Sequence, residues 1–186
     1  RKDKKMVYVF LADGFEECEA LVPVDILRRG GIEVKTVSAG GETVTGSHGI
    51  TVLCDITVGE AGKNGLSAVV LPGGMPGTLN LEKNGYVQDF IDFAVKNSLY
   101  IGAICAAPSI LGHKGILSGK NAVCFPGFEN ALAGAILSSA PVVRDGNIIT
   151  ACGAGAAFDF GFELLSALTG DSEKTEALKK SMLYAK

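Results

Sequence analysis

Short apolar runs rich in β-branched residues alternate along this chain with longer segments whose apolar positions repeat at helical spacing. The runs that predict strands are Met6–Ala12, Glu33–Ser38, Ala68–Leu71, Leu99–Ile104, Asn121–Cys124 and Asn147–Ala151. The segments that predict helices are Glu16–Arg29, Val87–Asn97, Ala106–Leu111, Ala156–Leu168 and Ser172–Tyr184. Nearly continuous apolar strands that alternate with helices predict a mainly parallel sheet with helices on both faces.

Two further segments predict antiparallel hairpins. Glu42–Asp55 alternates polar and apolar residues around a glycine-containing centre, and Pro141–Ala151 turns at Asp145-Gly146. We find no linker and no internal repeat, and 186 residues are a usual length for one domain. The prediction is therefore a single α/β domain over residues 1–186.

The composition excludes several classes of protein. A hydrophobic content of 47% argues against disorder, and a net charge of −3 without a basic stripe argues against binding to nucleic acid or to an anionic membrane surface. No stretch approaches the ~18 uninterrupted apolar residues of a membrane span. Five widely spaced cysteines without a C-x-x-C pair argue against a disulfide framework and a structural zinc site, and favour a reducing cytoplasm.

Cys105 is the sharpest candidate for chemistry, because ligands of open parallel sheets bind where the strands end. It lies among small residues at a predicted strand-to-helix junction, which is the arrangement of a nucleophile elbow. We expect the N-terminus of the following helix to lower the pKa of the Cys105 thiol. The alternative is a buried structural cysteine, the usual state of a free cysteine.

Glu19 is the second candidate. It shares one face of the predicted first helix with Ile26 and Leu27, so it is expected to point inward, towards the edge of the sheet. Burial there would raise the pKa of its carboxyl group and make it a proton carrier near neutral pH. Glu16 and Glu17 are predicted to supply only favourable charge to the first helical turn.

Gly73 and Gly74 follow a predicted strand, where their backbone N–H groups could stabilise a developing oxyanion; an ordinary turn is the alternative. Their loop, PGGMPG, lacks the Lys-Ser/Thr ending of a phosphate-binding loop, which argues against nucleotide binding. His113 is predicted to lie about 12 Å along its helix from Cys105, out of hydrogen-bonding reach. Both histidines are expected on the surface, although His48, at a hairpin tip, stays open as a site residue. A Cys–His protease dyad therefore has little support.

Four segments, FLADGFEECEA, PVDILRRGGIEV, VVLPGGMPG and GAICAAPSIL, occur in this order and resemble the ThiJ/PfpI superfamily, above all its DJ-one/YajL-like branch. The resemblance spans essentially the whole chain. It implies a flavodoxin-like three-layer α/β sandwich that forms homodimers, with Cys105 as the nucleophile and Glu19 as the acid. It also implies backbone oxyanion donors at Gly73 and Gly74, with Ala106 as a further donor.

Three positions depart from the pattern of that family. Ala106 follows the cysteine where proteolytic members carry a histidine, and Phe125 stands where one branch places a histidine near the cysteine. Residues 153–155 read G-A-G, where the family usually reads G-P-G. The first two departures weaken a peptidase assignment and leave Glu19 as the obvious acid–base group, whereas the third bears on dimer contacts.

The resemblance implies a cofactor-free enzyme of the glyoxalase III or protein deglycase type, in which Cys105 attacks α-oxoaldehydes or early glycation adducts and Glu19 moves protons. The expected partners are a small aldehyde or glycated substrate and a second copy of the chain, with no nucleic acid, membrane, metal or organic cofactor. The alternative is an oxidative-stress sensor or redox-regulated chaperone that uses oxidation of Cys105. Nothing in the residues supports the thiamine-precursor role of the older family name. Cys18 is expected to be merely a neighbour of Glu19 rather than a resolving thiol.

Overall fold

The secondary structure is that of an alternating α/β chain in a computed structural model that describes residues 5–184; residues 1–4 and 185–186 of the predicted domain lie outside the described part. The strands are β1 (Met6–Leu11), β2 (Glu33–Ser38), β3 (Thr43–Thr45), β4 (Thr51–Leu53), β5 (Ile56–Thr57), β6 (Leu66–Leu71), β7 (Tyr100–Ile104), β8 (Asn121–Ala122), β9 (Ile136–Leu137), β10 (Val142–Asp145) and β11 (Ile148–Ala151). The helices are α1 (Glu17–Arg29), α2 (Gly77–Lys83), α3 (Gly85–Lys96), α4 (Pro108–His113), α5 (Ala157–Thr169) and α6 (Ser172–Ser181).

The central sheet has seven strands in the order β10-β11-β7-β6-β1-β2-β5. Every pairing in it is parallel except that of β10 with β11, which closes the second predicted hairpin. The first predicted hairpin is the separate antiparallel pair of β3 and β4. This arrangement confirms the mainly parallel α/β fold and both hairpins.

Alternate side chains of β1 enter two separate cores, as the period of two in a strand requires. Val7, Val9 and Leu11 pack on the side of α1 and α5, whereas Tyr8 and Phe10 pack on the side of α3 and α4. Helices therefore cover both faces of the sheet, which explains why its strands are apolar throughout. Within residues 5–184, the helices are all too short or too polar to cross a lipid bilayer.

Two predicted elements differ from the structure. The predicted strand Asn121–Cys124 is reduced to the two residues of β8, which pair with β9 outside the central sheet, because β10 already occupies the outer edge of β11. The helix predicted from Ala106 begins instead at Pro108, which suits the first position of a helix because no backbone N–H is needed there. Cys105 thus precedes α4 by three residues and does not lie at the N-terminus of that helix.

Helix α2 was not predicted, because it begins inside the PGGMPG segment, whose glycines and prolines indicate a loop. Its first residue, Gly77, packs directly on the backbone of the loop that joins β1 to α1. A Cβ atom at Gly77 would stand 2.5 Å from the Phe15 nitrogen and 2.7 Å from the Gly14 oxygen. The loops after β1 and β6 are therefore in backbone contact, and this contact fixes where α1 begins.

We expect Gly77→Ala to lower the free energy of unfolding by about 2 kcal/mol, because the added methyl group has no room against backbone atoms that cannot rotate away. Gly85→Ala is the matched control, since Gly85 is the first residue of α3 and a Cβ atom there meets nothing within 4 Å. The control should be neutral or stabilising by up to ~1 kcal/mol. Urea denaturation followed by circular dichroism measures both variants. Equal stability of the two would contradict the proposed backbone contact.

Candidate active site

Cys105 occupies a strained turn directly after β7. Its φ of +65° lies in the left-handed region, which residues other than glycine adopt rarely. Its N–H donates to the Ala151 carbonyl at 2.9 Å, and its own carbonyl accepts from the Phe125 N–H at 2.8 Å. Two segments beside β7 therefore hold this backbone conformation, and the thiol stays partly accessible. The predicted elbow geometry at Cys105 is confirmed.

Glu19 is buried at the start of α1, with 1% of its surface exposed. Its carboxyl group hydrogen-bonds to the Cys105 thiol, and one of its oxygens accepts from the Gly73 N–H at 2.9 Å. Helix α1 begins here because the Glu16 side chain caps it by accepting from the Glu19 N–H at 2.8 Å. The predicted inward orientation of Glu19 is thus present, and the acid lies against the thiol.

Only glycine fits between these two side chains at position 73. A Cβ atom on Gly73 would stand 2.5 Å from a Glu19 carboxyl oxygen and 2.7 Å from the Cys105 Cβ. The Gly73 carbonyl accepts from the Glu16 N–H at 2.9 Å, while the Gly73 N–H donates to Glu19. Gly73 is therefore bound twice to the start of α1, and this pair of bonds fixes the distance between the acid and the nucleophile.

Two of the three predicted backbone donors face the Cys105 sulfur, and the third does not. The N–H groups of Gly74 and Ala106 donate to the Cys105 sulfur, so both face the atom where a substrate would bind. The Gly73 N–H is already occupied by Glu19. Gly74 can adopt its orientation because its φ is +91°, a conformation that glycine accepts at little cost. Of the three predicted oxyanion donors, Gly74 and Ala106 have suitable positions, and Gly73 positions the acid instead.

Burial is the largest influence on the pKa of both the Glu19 carboxyl group and the Cys105 thiol. It raises the pKa of the Glu19 carboxyl to about 7, and the charge of Glu16 adds to this effect, against the hydrogen bonds from Cys105 and Gly73. Burial, followed by the negative charge of Glu19, raises the pKa of the Cys105 thiol to about 12. The expected lowering of this thiol pKa by a helix N-terminus is therefore wrong, because α4 begins too late and an acid lies beside the sulfur.

The two groups titrate as a pair. The high pKa of Cys105 includes the repulsion from ionised Glu19, so it describes the loss of the second of two protons. The first proton leaves the pair near pH 7, the raised pKa of Glu19. Above that pH the pair holds one proton, mainly on the sulfur because the thiol is the weaker acid. When the carboxyl group holds it, the sulfur is a thiolate that accepts from Gly74 and Ala106.

Glu17 has a role that the sequence reasoning missed. It is 5% exposed, and its carboxylate accepts from the His48 N–H at 2.8 Å, the His48 ring at 2.9 Å and the Ile50 N–H at 3.4 Å. These bonds attach the tip of the β3–β4 hairpin to α1 and lower the pKa of Glu17, against the effect of its burial. The sequence signal for this contact is Gly46, because a Cβ atom there would stand 2.2 Å from Glu17 Oε1.

The remaining candidates lie apart from the sulfur. His113 pairs with Glu82 on α2, and Cys18 is exposed. Among the described residues, Glu16, Glu17 and His48 bring possible metal ligands within 4.8 Å of one another. Because Glu17 already accepts from three donors, we assign this cluster a structural role.

We expect the Glu19 carboxyl group to make stability depend on pH. Between its ordinary pKa of 4.5 and its native pKa of about 7, the native group keeps a proton that the unfolded group has lost, so rising pH favours unfolding. The loss amounts to about 3 kcal/mol over this interval and is complete above pH 7. Urea denaturation from pH 4 to pH 8 should show this decline in the wild type. Glu19→Gln should lack it, and parallel profiles of the two proteins would contradict the raised pKa.

Comparison with known proteins agrees with this fold. Residues 5–167 match the model of the DJ-1/PfpI family. The chain is 34% identical over 184 residues to protein dj-1beta of Drosophila melanogaster, covering 97% of this chain and 98% of the relative. It is 30% identical to the glutathione-independent glyoxalase DJR-1.2 of Caenorhabditis elegans, covering 92% and 91%. The crystal structure of a DJ-1 superfamily protein from Salmonella typhimurium superposes with a TM-score of 0.93 at 38% identity, covering 98% and 100%. The chain belongs to the DJ-1/PfpI family.

Proposed function

We propose that this protein is a cofactor-free glyoxalase that converts α-oxoaldehydes such as methylglyoxal into 2-hydroxy acids. The observation that supports this proposal is the hydrogen bond between the buried Glu19 carboxyl group and the Cys105 thiol, with a carboxyl pKa near 7. A group with that pKa gives and takes protons readily at neutral pH. The similarity to a relative named as a glutathione-independent glyoxalase points to the same reaction.

The first step uses the thiolate form of the pair. The Cys105 sulfur forms a bond to the aldehyde carbon, and the electron pair of the C=O bond moves to the oxygen. The N–H groups of Gly74 and Ala106 stabilise that oxyanion, because they already point towards the sulfur. Glu19 donates its proton to the oxygen, and the product is a hemithioacetal.

The second step moves hydrogen between neighbouring carbons. Ionised Glu19 removes the proton from the carbon bonded to sulfur, which leaves an enediolate. The hydroxyl proton on that carbon's oxygen passes to the neighbouring oxygen, and Glu19 returns its own proton to the adjacent carbon. This gives a thioester of the 2-hydroxy acid. Water cleaves the C–S bond and restores the thiol, so methylglyoxal and water become lactate without an external oxidant or reductant. In the deglycase variant of this proposal, the same thiolate attacks the carbinolamine carbon of an early glycation adduct. The C–S bond forms as the C–N bond breaks, the free amine leaves with a proton, and the same hemithioacetal remains.

We expect Cys105→Ala to abolish formation of D-lactate from methylglyoxal, since no nucleophile remains. Glu19→Gln should lower kcat/KM by at least about 100-fold, because the amide transfers no proton. Cys18→Ser is the matched control, an exposed cysteine one residue from Glu19, and it should keep activity within about twofold. Enzymatic assay of D-lactate measures all four proteins. Equal rates in the wild type and both site variants would reject the proposal.

The pH profile adds a second readout to that assay. The wild-type kcat/KM should rise with pH to a plateau, with an apparent pKa near 7, because losing the first proton of the pair creates the thiolate form. In Glu19→Gln the rising limb should move to higher pH, since the thiol then titrates alone. A profile that is flat from pH 5 to pH 8 in the wild type would argue against the shared proton.

Oxidation sensing is the second candidate function. The groups around the Cys105 sulfur, namely the Glu19 carboxyl group and the N–H groups of Gly74 and Ala106, are donors that suit the oxygens of a sulfinic acid.

The homodimer and the cytoplasmic location stay predictions.

We expect dilute hydrogen peroxide to add two oxygens selectively at Cys105, with two peroxide molecules reduced to water. Cys18 is more exposed, Cys54 and Cys124 are buried, and burial followed by neighbouring carboxylates raises the pKa of Cys18. The expected selectivity for Cys105 rests on the groups around its sulfur that would bind the added oxygens, not on the acidity of its thiol. Mass spectrometry of peptides measures the site and the number of oxygens. Selective oxidation without aldehyde turnover would favour the sensor over the enzyme. Uniform oxidation of several cysteines would count against the sensor.

A further inference from the structure

We infer that Phe125 determines specificity at this site, and that it favours α-oxoaldehydes with an aromatic or bulky apolar substituent over those without one. The inference rests on the glyoxalase function proposed above and specifies its substrate class. It comes from the position of one exposed aromatic ring next to the nucleophile.

The backbone ties Phe125 to Cys105. The Phe125 N–H donates to the Cys105 carbonyl at 2.8 Å, so the two residues are bonded neighbours across the end of the sheet. The 2-residue strand β8 ends just before this segment, and the Val123 N–H is fixed to the Thr150 side chain at 3.0 Å on β11. Phe125 is thus held beside the elbow from both sides.

The ring of Phe125 lies over the loop that follows β11. A Cβ atom on Gly153 would stand 3.3 Å from ring atom Cδ2 of Phe125, and Gly153 is buried while Phe125 is 47% exposed. The ring therefore has a partner on one side and is open to solvent elsewhere, on a residue whose backbone is bonded to that of Cys105. Large apolar surface exposed at such a place is typical of a site that binds an apolar group.

The polar groups around the sulfur would bind the aldehyde group itself, so another part of the site has to recognise its substituent. Glu19, Gly74 and Ala106 all bind the sulfur, and they would bind the aldehyde carbon and its oxygen in any α-oxoaldehyde. They offer no selection among substituents. An exposed ring that contacts the substituent does, because aromatic and apolar groups gain contact there and a hydrogen atom gains none.

The test compares phenylglyoxal with glyoxal, which carries hydrogen in place of the phenyl group. We expect Phe125→Ala to lower the ratio of the two kcat/KM values about tenfold, mainly through a higher KM for phenylglyoxal, while glyoxal stays within about twofold. Phe125→Leu should keep most of the ratio. Phe158→Ala is the matched control, since Phe158 lies on α5, is 42% exposed and stacks on the ring of Tyr184. An unchanged ratio, or an equal loss with both substrates, would overturn the inference.

A second measurement separates this inference from the proposed reaction. Alkylation of Cys105 by phenacyl bromide and by bromoacetone, followed by mass spectrometry, needs no turnover. Phe125→Ala should lower the ratio of the two rates several-fold, and Phe158→Ala should leave it unchanged. If the wild type converts neither aldehyde but the alkylation ratio falls, the glyoxalase proposal fails and recognition by Phe125 stands. If the alkylation ratio is unchanged, Phe125 has no role in recognition.

Discussion

The hydrogen bond between the Glu19 carboxyl group and the Cys105 thiol is the interaction on which this site depends. Both groups are mostly buried, and burial is the largest cause of the raised pKa of each, so the two groups titrate as a coupled pair. A carboxyl group beside a thiol ordinarily suppresses the thiolate. Ionised Glu19 does so here, since its charge is the second cause, after burial, of the raised pKa of Cys105. In the proposed reaction the thiolate forms when the thiol proton passes to Glu19, whose raised pKa makes it a suitable acceptor, so the acid takes the part that a helix dipole was expected to play.

Gly73 makes this contact possible, and the fold is arranged around it. Glycine at this position lets α1 and the loop after β6 approach until the two backbone bonds of Gly73 form. Gly77 brings α2 against the loop before α1 in the same way. The strained backbone at Cys105 is held on its other side by Ala151 of β11 and by Phe125 in the segment after β8. Close backbone approach, rather than side-chain packing, thus sets the geometry of the site, which explains the concentration of glycine in the loops that converge there.

The sequence was sufficient to predict features that depend on local pattern. Six of the seven strands of the central sheet, both hairpins, the turn at Cys105 and the inward face of Glu19 follow from periodicity and from small residues at strand ends; β5 was missed. The sequence was insufficient to predict features that depend on contacts between residues far apart in the chain. The raised pKa of Cys105 depends on a side chain 86 positions away in sequence, and the binding of Glu17 to the hairpin tip joins residues 31 positions apart. Helix α2 was missed because it begins among residues that usually stop helices.

The proposed reaction assigns all proton transfer to Glu19, and this has a consequence for the stability of the fold. Both histidines pair with other carboxyl groups, His48 with Glu17 and His113 with Glu82. In the proposed reaction Glu19 therefore acts as acid and as base within one cycle, which requires a pKa close to the working pH. Burial supplies that pKa, but it also destabilises the fold whenever the group is ionised. The bonds from Gly73 and Glu16 offset part of this cost by fixing the start of α1, so the residues that orient the acid are also those that keep it buried.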